Sequence, residues 1–183
     1  VVAVAFKKKR EVLALLLLHP GRVVSSERIL EAVWGEEQPA SENALWVTVS
    51  RLRSALAGKG GSSPLATRDH GYALDIDSDD LDATRFEHLV TAARRRRDTD
   101  PEAARRDLEE AMGLWRGDAF ADVAYRDFAL PEARRLEELR VTATEDLFEL
   151  RLRAGDDGEL IGDLQALVLR HPLRERQIGR AHV

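Results

Sequence analysis

The stretch 41–56, SENALWVTVSRLRSAL, constrains the fold of this chain more than any other. At about 100° per residue, Leu45, Val49, Leu52 and Leu56 fall within about 60° of one another, an apolar stripe that a helix has to bury. The opposite face carries Asn43, Val47, Ser50, Arg51 and Ser54. No acidic residue occurs between Asn43 and Lys59, whereas Arg51, Arg53 and Lys59 do. Such a helix is gripped by a core on one side. Its small, polar, basic side can enter a major groove, where Arg and Ser reach phosphates and base edges. The plain alternative is a surface helix with ordinary arginines. The flanking sequence tips the reading toward the groove.

Upstream, residues 1–6 read as one short strand, and Lys7-Lys8-Lys9-Arg10 opens a helix through Leu18 that His19-Pro20-Gly21 stops. The basic run is either a solvated helix start or a contact for DNA backbone. Val23-Val24 reads as a brief extended piece. Ser25 or Ser26 then caps a second helix ending near Trp34-Gly35, with Ile29, Leu30 and Val33 inward and Trp34 as a core anchor. Glu36-Glu37-Gln38-Pro39-Ala40 is an acidic connector, and Ser41 caps the helix already described. Downstream, residues 65–68 and 72–76 alternate as a β-hairpin, with Gly71 supplying the turn. Three helices followed by a two-stranded wing make a winged helix-turn-helix, and Arg68 sits where a wing meets backbone or minor groove.

The acidic stretch 77–82 marks a boundary, beyond which the chain reads as helical. Helices are expected over 84–97, with Phe86, Leu89, Val90 and Ala93 inward, and from Pro101 to about Trp115, capped by Asp100. A loop over 116–129 follows. A long helix over 130–154 comes next, with Leu136, Leu139, Val141, Leu147, Leu150 and Leu152 inward, and a last helix over 159–170. Antiparallel helix pairs with short turns suggest a tetratricopeptide-like repeat module, although no strict repeat consensus is visible. Arg94–Arg97 end a helix, which dipole and solvation explain; a contact with DNA or a partner is the minor alternative. The expected organisation is thus mainly α: a winged helix over 1–77, an all-α helical module over 78–177, and a tail over 178–183. That tail, Ile-Gly-Arg-Ala-His-Val, matches one frame of a common sequencing adapter and is read as non-native, the natural chain continuing after Arg176.

Net charge is −5 over 183 residues, which argues against nucleic acid only until the halves are separated. Residues 1–77 hold ten Lys/Arg and nine Asp/Glu, net +1; residues 78–183 hold eighteen and twenty-four, net −6. Local basic surface, not whole-chain charge, decides DNA binding. The absence of cysteine excludes disulfides and thiolate metal sites, and fits a reducing cytoplasm. The longest apolar run, Val12 to Leu18, is too short to span a bilayer. No phosphate-loop, dinucleotide-binding or nucleophile-elbow motif occurs, and the five His have no metal-ligand spacing. Carboxylates lie near Arg at helical spacing, as at Glu132 and Arg135, and read as solvated pairs worth ~0.3 kcal/mol each. Neither an enzyme, a metal site nor a cofactor is expected.

LLLLHPGRVVSSERILEAVWG, NALWVTVSRLRSAL and TRDHGYAL together resemble the OmpR-type winged helix of the actinobacterial antibiotic regulatory proteins (SARP, AfsR-like). The segment from DDLDATRFEHLV through AMGLWRGDAFADV to HPLRER is similar to that family's bacterial transcriptional activator domain. The resemblance implies a cytoplasmic transcriptional activator that binds promoter direct repeats as double-stranded DNA, as a homodimer on the DNA, and recruits RNA polymerase. It implies DNA contacts from Val47, Ser50, Arg51 and Arg53, with Ser54 on the same face and Arg68 on the wing. Arg53, at the edge of that face, is expected on phosphate. Glu36 and Glu37 match the loop that contacts polymerase in OmpR-type proteins. Trp46 departs from the family, where this position is commonly polar; stacking on sugar, contact with a thymine methyl and packing on the N-terminal sheet all stay open. The competing reading is a helical protein–protein adaptor whose winged helix no longer binds DNA.

Overall fold

A computed structural model describes residues 7–35, 42–57 and 61–155. The element order is α1 (Lys7–Leu17), β1 (Val24–Ser25), α2 (Ser26–Trp34), α3 (Glu42–Leu56), β2 (Leu65–Arg68), β3 (Gly71–Leu74), a 3-10 turn (Ser78–Asp80), α4 (Asp82–Arg96), α5 (Pro101–Gly113) and α6 (Leu130–Arg153). The strand over 1–6, the Ser41 cap, the Glu36/Glu37 loop, the helix over 159–170 and the tail over 178–183 lie outside the described residues.

By packing, the chain forms two compact units: Val1–Thr84 with Gly117–Glu137, and Arg85–Arg116 with Glu138–Val183. Residues 117–137 therefore go with the first unit, although they follow α5 in sequence.

In the first unit, Val12, Leu15 and Leu16 of α1, Ile29 and Val33 of α2, and Leu45, Val49 and Leu52 of α3 close on Val24, Leu65 and Leu74 of the sheet. Trp34 packs against this cluster from its edge, with Lys8 over its ring at 5.4 Å. The Ser25 hydroxyl accepts from Arg28 N–H at 3.2 Å, so Ser25 is the cap of α2. The sheet order is β1-β3-β2, antiparallel throughout: the short piece at Val24 adds a third strand to the hairpin, pairing with Tyr72.

The hairpin turn differs from the expectation. The left-handed residue is His70, at φ 62°, and Gly71 is the first residue of β3. Gly71 is needed for another reason: a Cβ there would lie 2.2 Å from the carbonyl oxygen of Val24 on β1.

The segment 117–129 builds a second apolar patch on this unit, Val123 and Ala129 against Ala14, flanked by Phe120 and Phe128. On α1, Glu11 is a fully buried carboxylate. It accepts from Tyr125 Oη at 2.5 Å, from Arg126 Nη2 at 3.0 Å and from Lys8 Nζ at 3.3 Å. Lys8 and Arg126 also donate to the Val33 carbonyl. Lys7 lies over the Tyr125 ring at 4.7 Å, and Arg10 pairs with Asp122 at 3.0 Å. Lys7, Lys8 and Arg10 thus have partners within this unit, so the basic run is not simply a solvated helix start.

The second unit packs Phe86, Val90 and Ala93 of α4, Ala104, Leu108 and Ala111 of α5, and Val141, Ala143, Leu147, Phe148 and Leu150 of α6 as buried faces. Asp100 caps α5 by accepting from Ala103 N–H, with Pro101 in its first turn. Trp115 meets Phe86 edge-on at 5.2 Å, under the Arg140 guanidinium at 4.4 Å. Leu152, expected inward, is exposed near the end of α6. The arginine run at the end of α4 is engaged: Arg94 pairs with Asp146 at 3.0 Å, Arg96 with Asp107 at 2.7 Å, and Arg97 with Asp146 and Glu149. The hydrogen bond that Arg97 donates to Glu149 raises the already high pKa of Arg97, against a smaller opposing effect of burial. At the start of α6, in the part that belongs to the first unit, Arg135 holds Glu132 at 2.6 Å and lowers its pKa.

Candidate nucleic-acid interface

Helix α3 presents two chemically distinct sides. Leu45, Val49 and Leu52 are buried, and Asn43, Trp46, Ser50, Arg51 and Ser54 are exposed. Glu42 in the first turn and Arg53 in the last both suit the helix dipole. Val47, on the same side, is half-buried. Thr48 and Ser54 hydroxyls donate back to the Ala44 and Ser50 carbonyls, at 2.8 and 3.1 Å, which keeps both side chains close to the helix. Arg51 makes no hydrogen bond or ion pair with any described residue. None of its five N–H donors is engaged by the described residues.

Arg53 is placed differently. Its Nε donates to the Leu65 carbonyl at 2.8 Å, its Nη2 to Thr67 Oγ1 at 2.5 Å, and the guanidinium lies 6.0 Å from the Tyr72 ring. Arg53 is a brace between α3 and the wing, fixing the angle at which the two would meet a duplex. Arg68, on β2 opposite Gly71, pairs with Asp75 at 2.6 Å and stays half-exposed. Its charge is therefore offered to a ligand only in competition with Asp75.

A further basic corner, not singled out from the sequence, lies at the start of α2. Arg22 and Arg28 are exposed beside His19. Burial, and then the guanidiniums of Arg28 and Arg22, lower the pKa of His19 below the ordinary 6.5. An imidazole disfavoured as a cation reports positive potential at this corner as well as desolvation. Sequence reading passed over these arginines because they lie outside α3 and flank an apparent helix stop. It also missed Glu11, although the signal was there: a carboxylate one turn before Leu15, on the same face of α1.

Three helices with a β-hairpin, followed by helices packed in antiparallel pairs, define a winged-helix protein joined to an all-α helical module. Family models match both parts: Transcriptional regulatory protein, C terminal, over residues 5–74, and Bacterial transcriptional activator domain over residues 81–181. Regulatory protein AfsR of Streptomyces griseus is 36% identical over 92% of this chain and 17% of its own length. Regulatory protein DnrI of Streptomyces peucetius is 34% identical over 92% of this chain and 65% of its own length. A solved structure of Mycobacterium tuberculosis EmbR in complex with a low-affinity phosphopeptide superposes with a TM-score of 0.84 at 33% identity, over 93% of this chain and 46% of that one. This chain belongs to the SARP family of transcriptional regulators. It spans less than two thirds of the length of each of these relatives.

Proposed function

We propose that this chain is a sequence-specific, DNA-binding transcriptional activator. It acts in the cytoplasm, binds promoter direct repeats as two protomers, and recruits RNA polymerase. The observation that carries the reading is the exposed face of α3, acid-free from Asn43 onward, where Arg51 projects among small polar residues with no partner among the described residues. Arg51 and Ser50 then read base edges, Val47 and Ser54 let the helix sit close to them, and Arg68 meets the backbone at the wing. Arg53 contributes mainly by holding the wing in place. Residues 1–77 carry DNA binding, and 78–177 carry activation. Glu36 and Glu37 contact polymerase.

Binding of the purified protein to a promoter library across a salt series tests this. Affinity is expected to fall steeply with salt, with direct repeats enriched. Arg51→Ala is expected to weaken specific binding by ~1–3 kcal/mol. Unchanged affinity in that variant would remove α3 as the reading helix. Salt-independent absence of binding in folded protein would favour the adaptor reading. Glu36→Ala with Glu37→Ala should preserve DNA binding and lower transcription; normal transcription would refute the polymerase contact.

A further inference from the structure

Trp46 is the largest exposed apolar side chain on α3, 59% accessible. It stands about 140° around the helix from Arg51 and about 7.5 Å along its axis, so the two flank the exposed arc on opposite sides. Between them lie Asn43, Val47, Ser50 and Ser54, all short, with the Ser54 hydroxyl turned back onto the Ser50 carbonyl. A helix built this way approaches closely along its middle and grips with its two flanks. The absence of acid from Asn43 to Lys59 leaves polyanionic DNA as the occupant that suits the face.

The chemistry of the indole narrows what it touches. Its Nε1–H is a donor with no acceptor, and the rest of the ring is apolar. In the major groove, acceptors are offered by guanine N7 and O6, adenine N7 and thymine O4, whereas cytosine offers an amino donor. The one apolar group on any base edge is the thymine methyl. Thymine alone presents a methyl and an acceptor side by side. Resting on the DNA-binding reading above, we infer that Trp46 is a specificity-determining residue that reads a thymine through its C5 methyl and O4. That thymine lies on a different base pair from the one contacted by Arg51. At about 7.5 Å of axial separation the two contacts fall about two base pairs apart, so their effects add.

The test is selection of duplexes from a random pool by the whole chain and by Trp46→Gln, Trp46→Phe and Arg51→Ala. Thermal unfolding of each variant checks that it is folded. The wild type is expected to enrich a thymine at one position. Trp46→Gln is expected to lose that preference alone, and Arg51→Ala to lose preference at another position. On the selected duplex, thymine to uracil removes the methyl and keeps O4, and is expected to weaken binding about fivefold. Thymine to cytosine is expected to cost more, about tenfold or greater, within the ~1–3 kcal/mol per base pair typical of such contacts. Cytosine to 5-methylcytosine should recover part of the loss. Trp46→Phe should still distinguish thymine from uracil. If Trp46→Gln selects the same sequences as the wild type, or weakens all duplexes equally, the thymine assignment is overturned while DNA binding stands. If the folded wild type enriches nothing, the DNA-binding reading falls first and this inference with it.

Discussion

Replacing Arg126 by Met should lower the stability of the first unit by about 2 kcal/mol. Breaking a fully buried ion pair costs about 3–5 kcal/mol because a charge is left without compensation. Here Glu11 is fully buried, but Arg126 is a quarter exposed, and Lys8 and Tyr125 stay on the carboxylate. Roughly half the full penalty is therefore expected. Glu11→Gln keeps the volume and an acceptor, and should cost a similar ~2 kcal/mol by removing the charge that three donors converge on. Together the two changes should cost less than their sum, with a coupling of about 1–2 kcal/mol, because each removes the same interaction. Urea unfolding of the two single variants and the double variant gives the coupling, and hydrogen exchange of the α1 and α2 amides shows where protection is lost. A coupling below ~0.3 kcal/mol, the range of independent sites, would refute the claim that this contact holds residues 117–129 to α1. Tyr125 supplies a separate readout. Burial and the hydrogen bond to Glu11 raise its phenol above the ordinary 10, so Glu11→Gln should bring its ultraviolet titration back down.

Gly71→Ala should cost roughly 2–3 kcal/mol, since its Cβ would meet the Val24 backbone and β1 would have to move; a melting temperature equal to the wild type would refute the close approach. Arg53→Met should speed hydrogen exchange in β2 and weaken DNA binding without changing which sequences are chosen, because the brace to Leu65 and Thr67 is lost while Arg51 is untouched. A changed sequence preference would mean that Arg53 reads bases directly. Because the pKa of His19 is lowered in the folded protein, the unfolded chain binds this proton first. Stability should therefore decline as pH falls through 6.5 and level off below the folded value, with no effect at higher pH. In His19→Gln that part of the acid dependence should vanish, and an unchanged pH profile would count against it.

Much of the first unit was legible because its signals are local. Ser25 caps α2, as Asp100 caps α5 in the second unit, where short polar side chains precede apolar periods, and Leu45, Val49 and Leu52 are buried as their spacing requires. The role of Gly71 was misread because turn statistics favour glycine at a tight hairpin. The left-handed position fell on His70, while the glycine answered a steric demand from a third strand two residues long. A strand that short leaves no alternation to detect. Leu152 was placed inward by extending a stripe into the last turn of α6, where no neighbour covers it among the described residues. On the candidate interface, helical spacing placed Ser50, Arg51 and Ser54 on the exposed side, but it could not show that Arg53 and Arg68 already have partners. Those partners, Leu65, Thr67 and Asp75, come from the hairpin, and contact across folded elements leaves no periodic trace.

The Glu11 network shows what such long-range contacts add. The Val33 carbonyl lies in the last turn of α2, where the helix offers no N–H donor of its own. It takes its donors from Lys8 on α1 and from Arg126 in the segment after α5. Both cations also balance Glu11, so a single buried charge organises the end of α2 and the docking of residues 117–129. Replacing Glu11 by a well-packed leucine would remove the charge cost, and buried ion pairs are often no more stable than such a replacement. What leucine would not supply is a reason for Lys8 and Arg126 to converge on one carbonyl. On this argument the carboxylate is worth more as a register than as a source of stability. It fixes the point from which the chain leaves α2 toward the helix that faces DNA in the reading proposed above.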